Sequence, residues 1–298
     1  MTNHETLRAG VIGAGSFGAR HAEKYTALEG VRLAAILDIH PERASALAER
    51  LGARSAESLE GFFAEVDVVS IATPAASHAR LALACLAAGK ATYVEKPFAL
   101  SLEDADDIIA VARGRGLSLA CGFQERAALS ALGPLPKPMR IEARRLNVPS
   151  ERGHDISATL DLMSHDIDLA FFLGAGEPIA VEAEGGEDEA RAEVLFEGGV
   201  VALFSVSRHA ERPERALTLS LAGDELTIDL LANQVEGGAG LALDPRFGER
   251  PGVRDRLAAS LAAFLAAARG EAVSPLAGGA DGARALNLAL AVETALGR

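Results

Sequence analysis

Two stretches of this chain carry side chains suited to taking hydrogen from an alcohol carbon. The first is Glu95-Lys96-Pro97, at the end of a predicted strand, Ala91-Thr92-Tyr93-Val94. An ammonium placed there can hydrogen-bond a hydroxyl, steady the alkoxide that develops as hydride leaves, and share in proton transfer. Glu95 is positioned to orient it, and a Lys-Pro bond permits the cis form. The second stretch lies in a predicted helix over 156–173. At about 100° per residue, Leu160, Met163, Ile167 and Phe171 form one apolar stripe. Asp161, His165 and Asp168 then share the neighbouring face, within about 60° of one another. A histidine with carboxylates one turn away is a base whose tautomer its neighbours set. Asp161 and Asp168 are equally suited to binding a substrate hydroxyl. Zinc is a second account of this cluster, but both cysteines lie elsewhere and ammonium-assisted hydride transfer needs no metal, so none is expected.

Hydride needs an acceptor, and the first part of the chain predicts where it sits. Gly13-Ala14-Gly15-Ser16-Phe17-Gly18 follows an apolar strand, Leu7 to Ile12, and opens a helix. In that context Gly13, Gly15 and Gly18, with Ser16 and Phe17 between them, let the backbone approach a pyrophosphate on the helix N-terminus. Asp38, twenty residues after Gly18, ends the second strand. It can accept bonds from ribose hydroxyls and its charge repels a 2′-phosphate, so NAD is expected rather than NADP. Thr73-Pro74 ends a third apolar run, where Thr73 can touch the nicotinamide ribose or a phosphate. His78, at the following helix start, lies along the same cofactor-facing edge as Glu95 and Lys96; a capping or packing role suits it better than reaction.

These residues must be held by an α/β framework. From Leu7 to Gly122, continuous apolar strands alternate with helices, which predicts a doubly wound parallel sheet covered on both faces. Residues 1–122 are thus expected to form a dinucleotide-binding Rossmann domain. The rest of the chain changes character. A strand at Met139 to Val148 and the helix over 156–173 lead into hairpins, one through Glu197-Gly198-Gly199 and one through Gly223-Asp224. Residues 123–298 are expected to form an α+β domain for substrate binding and oligomerisation. Its sheet is open and mostly antiparallel, and two Ala/Leu-rich helices close the chain. Pro134, Pro136 and Pro138 mark the joint.

Composition narrows the partners. The formal charge of −13 disfavours nucleic acid. The most apolar helix candidate, 257–268, is too short to span a bilayer, and no secretory signal pattern opens the chain, so a cytoplasmic protein is expected. Cys85 and Cys121 suit small buried hydrophobes better than a disulfide or a metal cage. Between Cys121 and Asp155 six basic residues face four acidic ones. Arg126, Arg144, Arg145 and Arg152 are therefore candidates to hold an anionic substrate, a solvated strand face being the alternative. Val200 to Val206 is apolar on both faces, and an antiparallel strand normally leaves one face wet. A homodimer or homotetramer through this sheet would cover the second face.

Taken in order, the Gly13–Gly18 turn, Thr73-Pro74 with His78, Ala88-Gly89-Lys90 before Glu95-Lys96-Pro97, and Asp161…His165 with Asp168 resemble the glucose–fructose oxidoreductase / inositol dehydrogenase / rhizopine catabolism family. The resemblance covers nearly the whole chain. It implies a Rossmann domain followed by an open-sheet domain used in oligomer contacts. It also implies Lys96 and His165 as catalytic residues, with Asp161 positioning the sugar. Arg152-Gly153-His154-Asp155 and the segment Asp161 to Asp168 look like the branch of UDP-N-acetylglucosamine 3-dehydrogenases. Those oxidise the sugar 3-hydroxyl ahead of an aminotransferase, on the way to an amide-linked lipid A. Ser164 and Ala127-Ala128 depart from that branch's pattern. The expected activity is NAD-dependent oxidation of a secondary sugar hydroxyl, with a UDP-amino sugar as first candidate. The alternatives are an inositol or free-sugar dehydrogenase, a dinucleotide-dependent sensor without turnover, and an NAD-dependent glycosidase.

Overall fold

The computed structural model describes residues 6–150, 155–271 and 275–298. The contacts divide the chain into two compact units, Met1–Gln124 with Leu257–Ala283, and Glu125–Arg256 with Arg284–Arg298.

The first unit is built from β1 (Leu7–Ile12), α1 (Ser16–Ala27), β2 (Val31–Leu37), α2 (Pro41–Leu51), β3 (Arg54–Ser55), α3 (Leu59–Glu65), β4 (Val68–Ile71), α4 (His78–Ala87), β5 (Ala91–Val94), α5 (Leu102–Arg115) and β6 (Leu119–Cys121). All six strands are parallel, in the order β3-β2-β1-β4-β5-β6. That is the doubly wound arrangement expected, with the strand order reversing beside β1, where such folds take their ligands. β4 and β5 are buried throughout, which is why they read as unbroken apolar runs. Local signals fix the helix ends: Ser58 and Ser101 accept bonds from the Gly61 and Asp104 amides, 3.1 Å each.

This unit also takes back part of the C-terminal chain, which the sequence reading assigns to the second domain. Leu257, Leu261, Phe264 and Leu265 of a later helix, Arg256–Ala268, join the core formed by Val11, Tyr25, Ile36 and Tyr93. The Tyr93 ring meets Phe264 edge-on at 5.6 Å, and its hydroxyl pairs with Ser260 at 2.9 Å. Residues near Gly278 then bridge to Ala120, and the Cys121 amide donates to the Ala277 carbonyl at 2.9 Å. An otherwise open sheet edge is thereby covered.

The second unit contains α6 (Arg126–Leu132), β7 (Arg140–Leu146), α7 (Ser164–Phe172) and β8 (Pro178–Gly185), then β9 (Glu189–Phe196), β10 (Val201–Ser207), β11 (Glu214–Leu221), β12 (Asp224–Asp229), β13 (Gln234–Gly237) and α8 (Pro251–Arg254). The seven strands run β13-β12-β11-β7-β10-β9-β8. Only β7 and β10 pair in parallel, so the sheet is mixed and mostly antiparallel, as expected. Both foreseen hairpin turns form, with Gly198, Gly199 and Gly223 at positive φ of 80°, 81° and 85°. One sheet face is buried through Ala202, Phe204 and Val206; the other presents Val201 and Leu203, half-buried, with Leu195 exposed.

The predicted helix over 156–173 is interrupted. Thr159–Met163 is a π-helical turn and only then does α7 begin. Ser164 donates its hydroxyl to the Leu160 carbonyl at 2.7 Å, the type of back-bond that bends helices. A uniform 100° step therefore does not carry through this segment.

Candidate functional site

In the first unit, the glycine turn is shaped by contact as well as by torsion. Gly13 has φ of +102°, and a Cβ there would meet the Ala72 carbonyl oxygen at 2.5 Å. A Cβ on Gly18 would lie 1.8 Å from the Gly13 oxygen, so only glycine lets α1 start so close to β1. Gly15 is the opposite case: a Cβ would meet nothing within 4 Å. Its backbone faces open space beside the first turn of α1, whose N-cap makes no side-chain hydrogen bond. Amides there suit an anion. Phe17, beside this turn, stacks against His21 at 5.5 Å.

Asp38 follows β2 and ties the turn down. Its Oδ2 accepts from the Ala14 amide at 2.6 Å and its Oδ1 from the His40 amide at 2.8 Å. A carboxylate has about four acceptor positions, so capacity is left for ribose hydroxyls. The open Gly15 backbone, the uncapped amides and this acidic strand end fit a dinucleotide.

At the ends of β4 and β5 the side chains are interlocked. The Ser77 hydroxyl donates to the Pro74 carbonyl at 2.8 Å, so the Thr73 hydroxyl, 2.6 Å away, donates to Ser77. His78 is 1% exposed, with Nδ1 at 2.8 Å from the Pro97 carbonyl and Nε2 at 2.9 Å from the Thr73 carbonyl. It ties the two strand-end loops together, which agrees with a packing role and places it inside rather than on the cofactor-facing surface. Glu95 is buried, and its Oε1 receives His21 Nε2 at 2.9 Å and Gln124 Nε2 at 3.0 Å. Lys96 follows half-buried, and the Lys96–Pro97 bond is cis.

His21 is the residue sequence reasoning missed here. Its signal was available: three residues past Gly18, it faces inward on α1 and is fully buried. Its Nε2 pairs with Glu95, and its Nδ1 has no hydrogen-bond partner among the described residues.

In the second unit the three aligned residues acquire different partners. Asp161 Oδ2 accepts from Arg208 at 3.2 Å, and Arg208 also holds the Ile156 carbonyl and Asp188. Asp168 forms a buried two-point pair with Arg126, whose Nε donates at 2.8 Å and whose guanidinium lies 5.2 Å from the Phe172 ring centre. His165 places Nδ1 3.8 Å from Glu125 Oε2. That is too long for a hydrogen bond but close enough for the charge to act on the ring.

Glu125 is the hub. Burial would raise its pKa, but Arg145, His165 and Arg215 outweigh this and hold it below the usual carboxylate range. Arg145 is 2% exposed and donates to both Glu125 and Asp166. Burial would lower the Arg145 pKa; Asp166 and Glu125 raise it instead. For Asp166 burial prevails over Arg145 and the pKa rises. The basic residues proposed to hold substrate are thus not gathered. Arg126 and Arg145 are buried in ion pairs, and Arg144, one residue along β7 on the opposite face, pairs with Glu214 at 2.7 Å. Arg152 lies outside the described residues. Glu125, Arg208, Arg215 and Arg256 were not singled out as site residues; charge counting along the chain cannot show which side chains meet across a sheet.

The chain is similar to known proteins along most of its length. The oxidoreductase family described by its NAD-binding Rossmann fold matches residues 7–123. A UDP-N-acetylglucosamine 3-dehydrogenase of Acidithiobacillus ferrooxidans is 36% identical, over 98% of this chain and 99% of that one. A solved structure of that enzyme superposes with a TM-score of 0.89 at 35% identity, covering 97% of each chain. A myo-inositol 2-dehydrogenase of Thermotoga maritima is 29% identical over 68% of this chain and 69% of its own.

Proposed function

Because the chain belongs to the oxidoreductase family with the NAD-binding Rossmann fold, we propose that it oxidises a secondary sugar hydroxyl with NAD as acceptor, the 3-hydroxyl of UDP-N-acetylglucosamine first. The observation that carries the substrate is the end-to-end likeness to a dehydrogenase of that nucleotide sugar. A ketone at this carbon suits transamination, in keeping with an amino-sugar route to lipid A. The likeness to a myo-inositol dehydrogenase supports a second reading, oxidation of a cyclic polyol.

NAD supplies the hydride acceptor. The amides of the Gly13–Gly18 turn and α1 bind its pyrophosphate, and Asp38 receives its adenosine ribose. Lys96 donates a hydrogen bond to the reacting oxygen and stabilises the charge that develops there. The Glu95 carboxylate, fixed by His21 and Gln124, orients the strand end from which Lys96 projects. His165 takes the hydroxyl proton. The Glu125 charge beside Nδ1 favours a proton on that nitrogen and leaves Nε2 as the base. Asp161, anchored by Arg208, orients a neighbouring sugar hydroxyl. We also assign the outer face of the second sheet to a second copy of the chain.

A panel of UDP-sugars and inositols, followed by NADH absorbance, tests the substrate. UDP-N-acetylglucosamine should reduce the cofactor; reduction by inositol alone would favour the second reading. Lys96→Ala should lower kcat by about 100-fold or more, with NAD affinity little changed. Wild-type turnover in that variant would remove Lys96 from the mechanism.

A further inference from the structure

The inner face of the second sheet carries more positive charge than its own carboxylates use. Arg145 on β7 and Arg215 on β11 are directly opposed in the antiparallel ladder, a like-charged pairing that costs stability unless an anion intervenes. Glu125 and Asp166 provide two carboxylates, and Arg145 takes the close contacts to both. Arg215 and Arg256 remain, each 3.7 Å from Glu125 Oε1, beyond hydrogen-bond length. The Nε atoms of both are buried, with no hydrogen-bond partner among the described residues. Three guanidiniums therefore face two carboxylates, a surplus of one positive charge. Arg256 is pinned from behind by the Leu230 carbonyl, 2.8 Å away, and by Asn233. Arg215 is the accessible member, with 38% of its side chain exposed. The same Glu125 carboxylate lies 3.8 Å from His165, so the surplus sits beside the imidazole assigned as the base.

We propose that Arg215, backed by Arg256, forms a phosphate-binding subsite for the diphosphate of the nucleotide-sugar substrate. The inference rests on the reading of the substrate given above. A guanidinium fork matches two phosphate oxygens, and its bonds to an anion are the strong, charge-assisted kind. The incoming diphosphate supplies the negative charge that the cluster lacks, and Glu125 remains with Arg145. The phosphates are not the reacting atoms, so the arginine that anchors them acts on affinity more than on the chemical step.

The test uses UDP and uridine as ligands for the full-length protein, with binding measured by calorimetry and no turnover required. Arg215→Gln should weaken UDP binding by about tenfold or more, while uridine, without phosphates, and NAD bind as to the wild type. Arg215→Lys should recover part of the loss, and the thermal unfolding midpoint of each variant reports on the fold. Unchanged UDP affinity in Arg215→Gln, an equal loss for uridine, or no UDP binding to the wild type would each overturn the subsite. If UDP binds through Arg215 but UDP-sugars reduce no NAD, the subsite stands and the oxidation reading falls. If they reduce NAD and UDP ignores Arg215, the reverse holds.

Discussion

Asp38 uses one carboxylate for two purposes. It holds the glycine turn through the Ala14 and His40 amides, and in the proposed function its charge also repels a 2′-phosphate. Asp38→Asn removes the charge and keeps one of the two backbone bonds, because its single amide oxygen can accept from Ala14 or His40 but its NH2 group cannot accept from the other. The ratio of kcat/KM for NADP to that for NAD should rise by about tenfold or more, or about 1.4 kcal/mol. An unchanged ratio would leave selectivity to other groups. At this scale the sequence was legible where a residue acts alone. Asp38, Lys96 and His165 are marked as candidates by type and spacing. His21 and Glu125 are not, because each matters through a partner far along the chain: Glu95 for His21, Arg145 for Glu125.

The ends of β5 and β6 show how an element sets the position of a side chain. Gly122, just past β6, packs on the Glu95 carboxylate so closely that an added Cβ would fall 2.5 Å from Oε2 and 2.8 Å from Cδ. Both atoms belong to a side chain already fixed by His21 and Gln124, so Glu95 cannot retreat without giving up those bonds. Gly122→Ala should cost about 1–3 kcal/mol of stability, as overpacking does, and should lower kcat through the neighbouring Lys96 more than it weakens NAD binding. A variant that loses only thermal stability, with kcat intact, would separate Glu95 from the catalytic strand end. The strands and the glycine turn could be read in advance because a buried parallel sheet leaves unbroken apolar runs. The π turn at Thr159–Met163 could not, since apolar periodicity over 156–173 carries no mark of a local change in helical pitch. Nor could the return of Leu257 to Phe264 to the first unit: an Ala/Leu helix shows that it must be buried, but not against which sheet.

For the molecule as a whole, the outer face of the second sheet poses the remaining question of burial. Leu203 lies at its centre, half-buried, between Glu142 on β7 and Glu193 on β9, with Val201 and the exposed Leu195 one pair along. Arg144 and Arg191 flank the same surface, each opposite Ser205. Apolar side chains ringed by charges of both signs suit self-association about a two-fold axis, where each acidic residue can meet a basic residue of the other copy. Leu203→Lys discriminates this from a merely tolerated surface. In a lone subunit the ammonium would sit between two glutamates and stabilise or leave unchanged the fold. In a dimer it would replace an apolar contact with a charge in the dry centre of each half of the interface, where the neighbouring glutamates do not offset the loss of water. Sedimentation at micromolar concentration should therefore show the wild type as a dimer or a multiple of it and Leu203→Lys shifted toward monomer, with thermal stability per subunit retained. A wild type that sediments as a monomer would show that water, not a second copy, covers Val201 and Leu203.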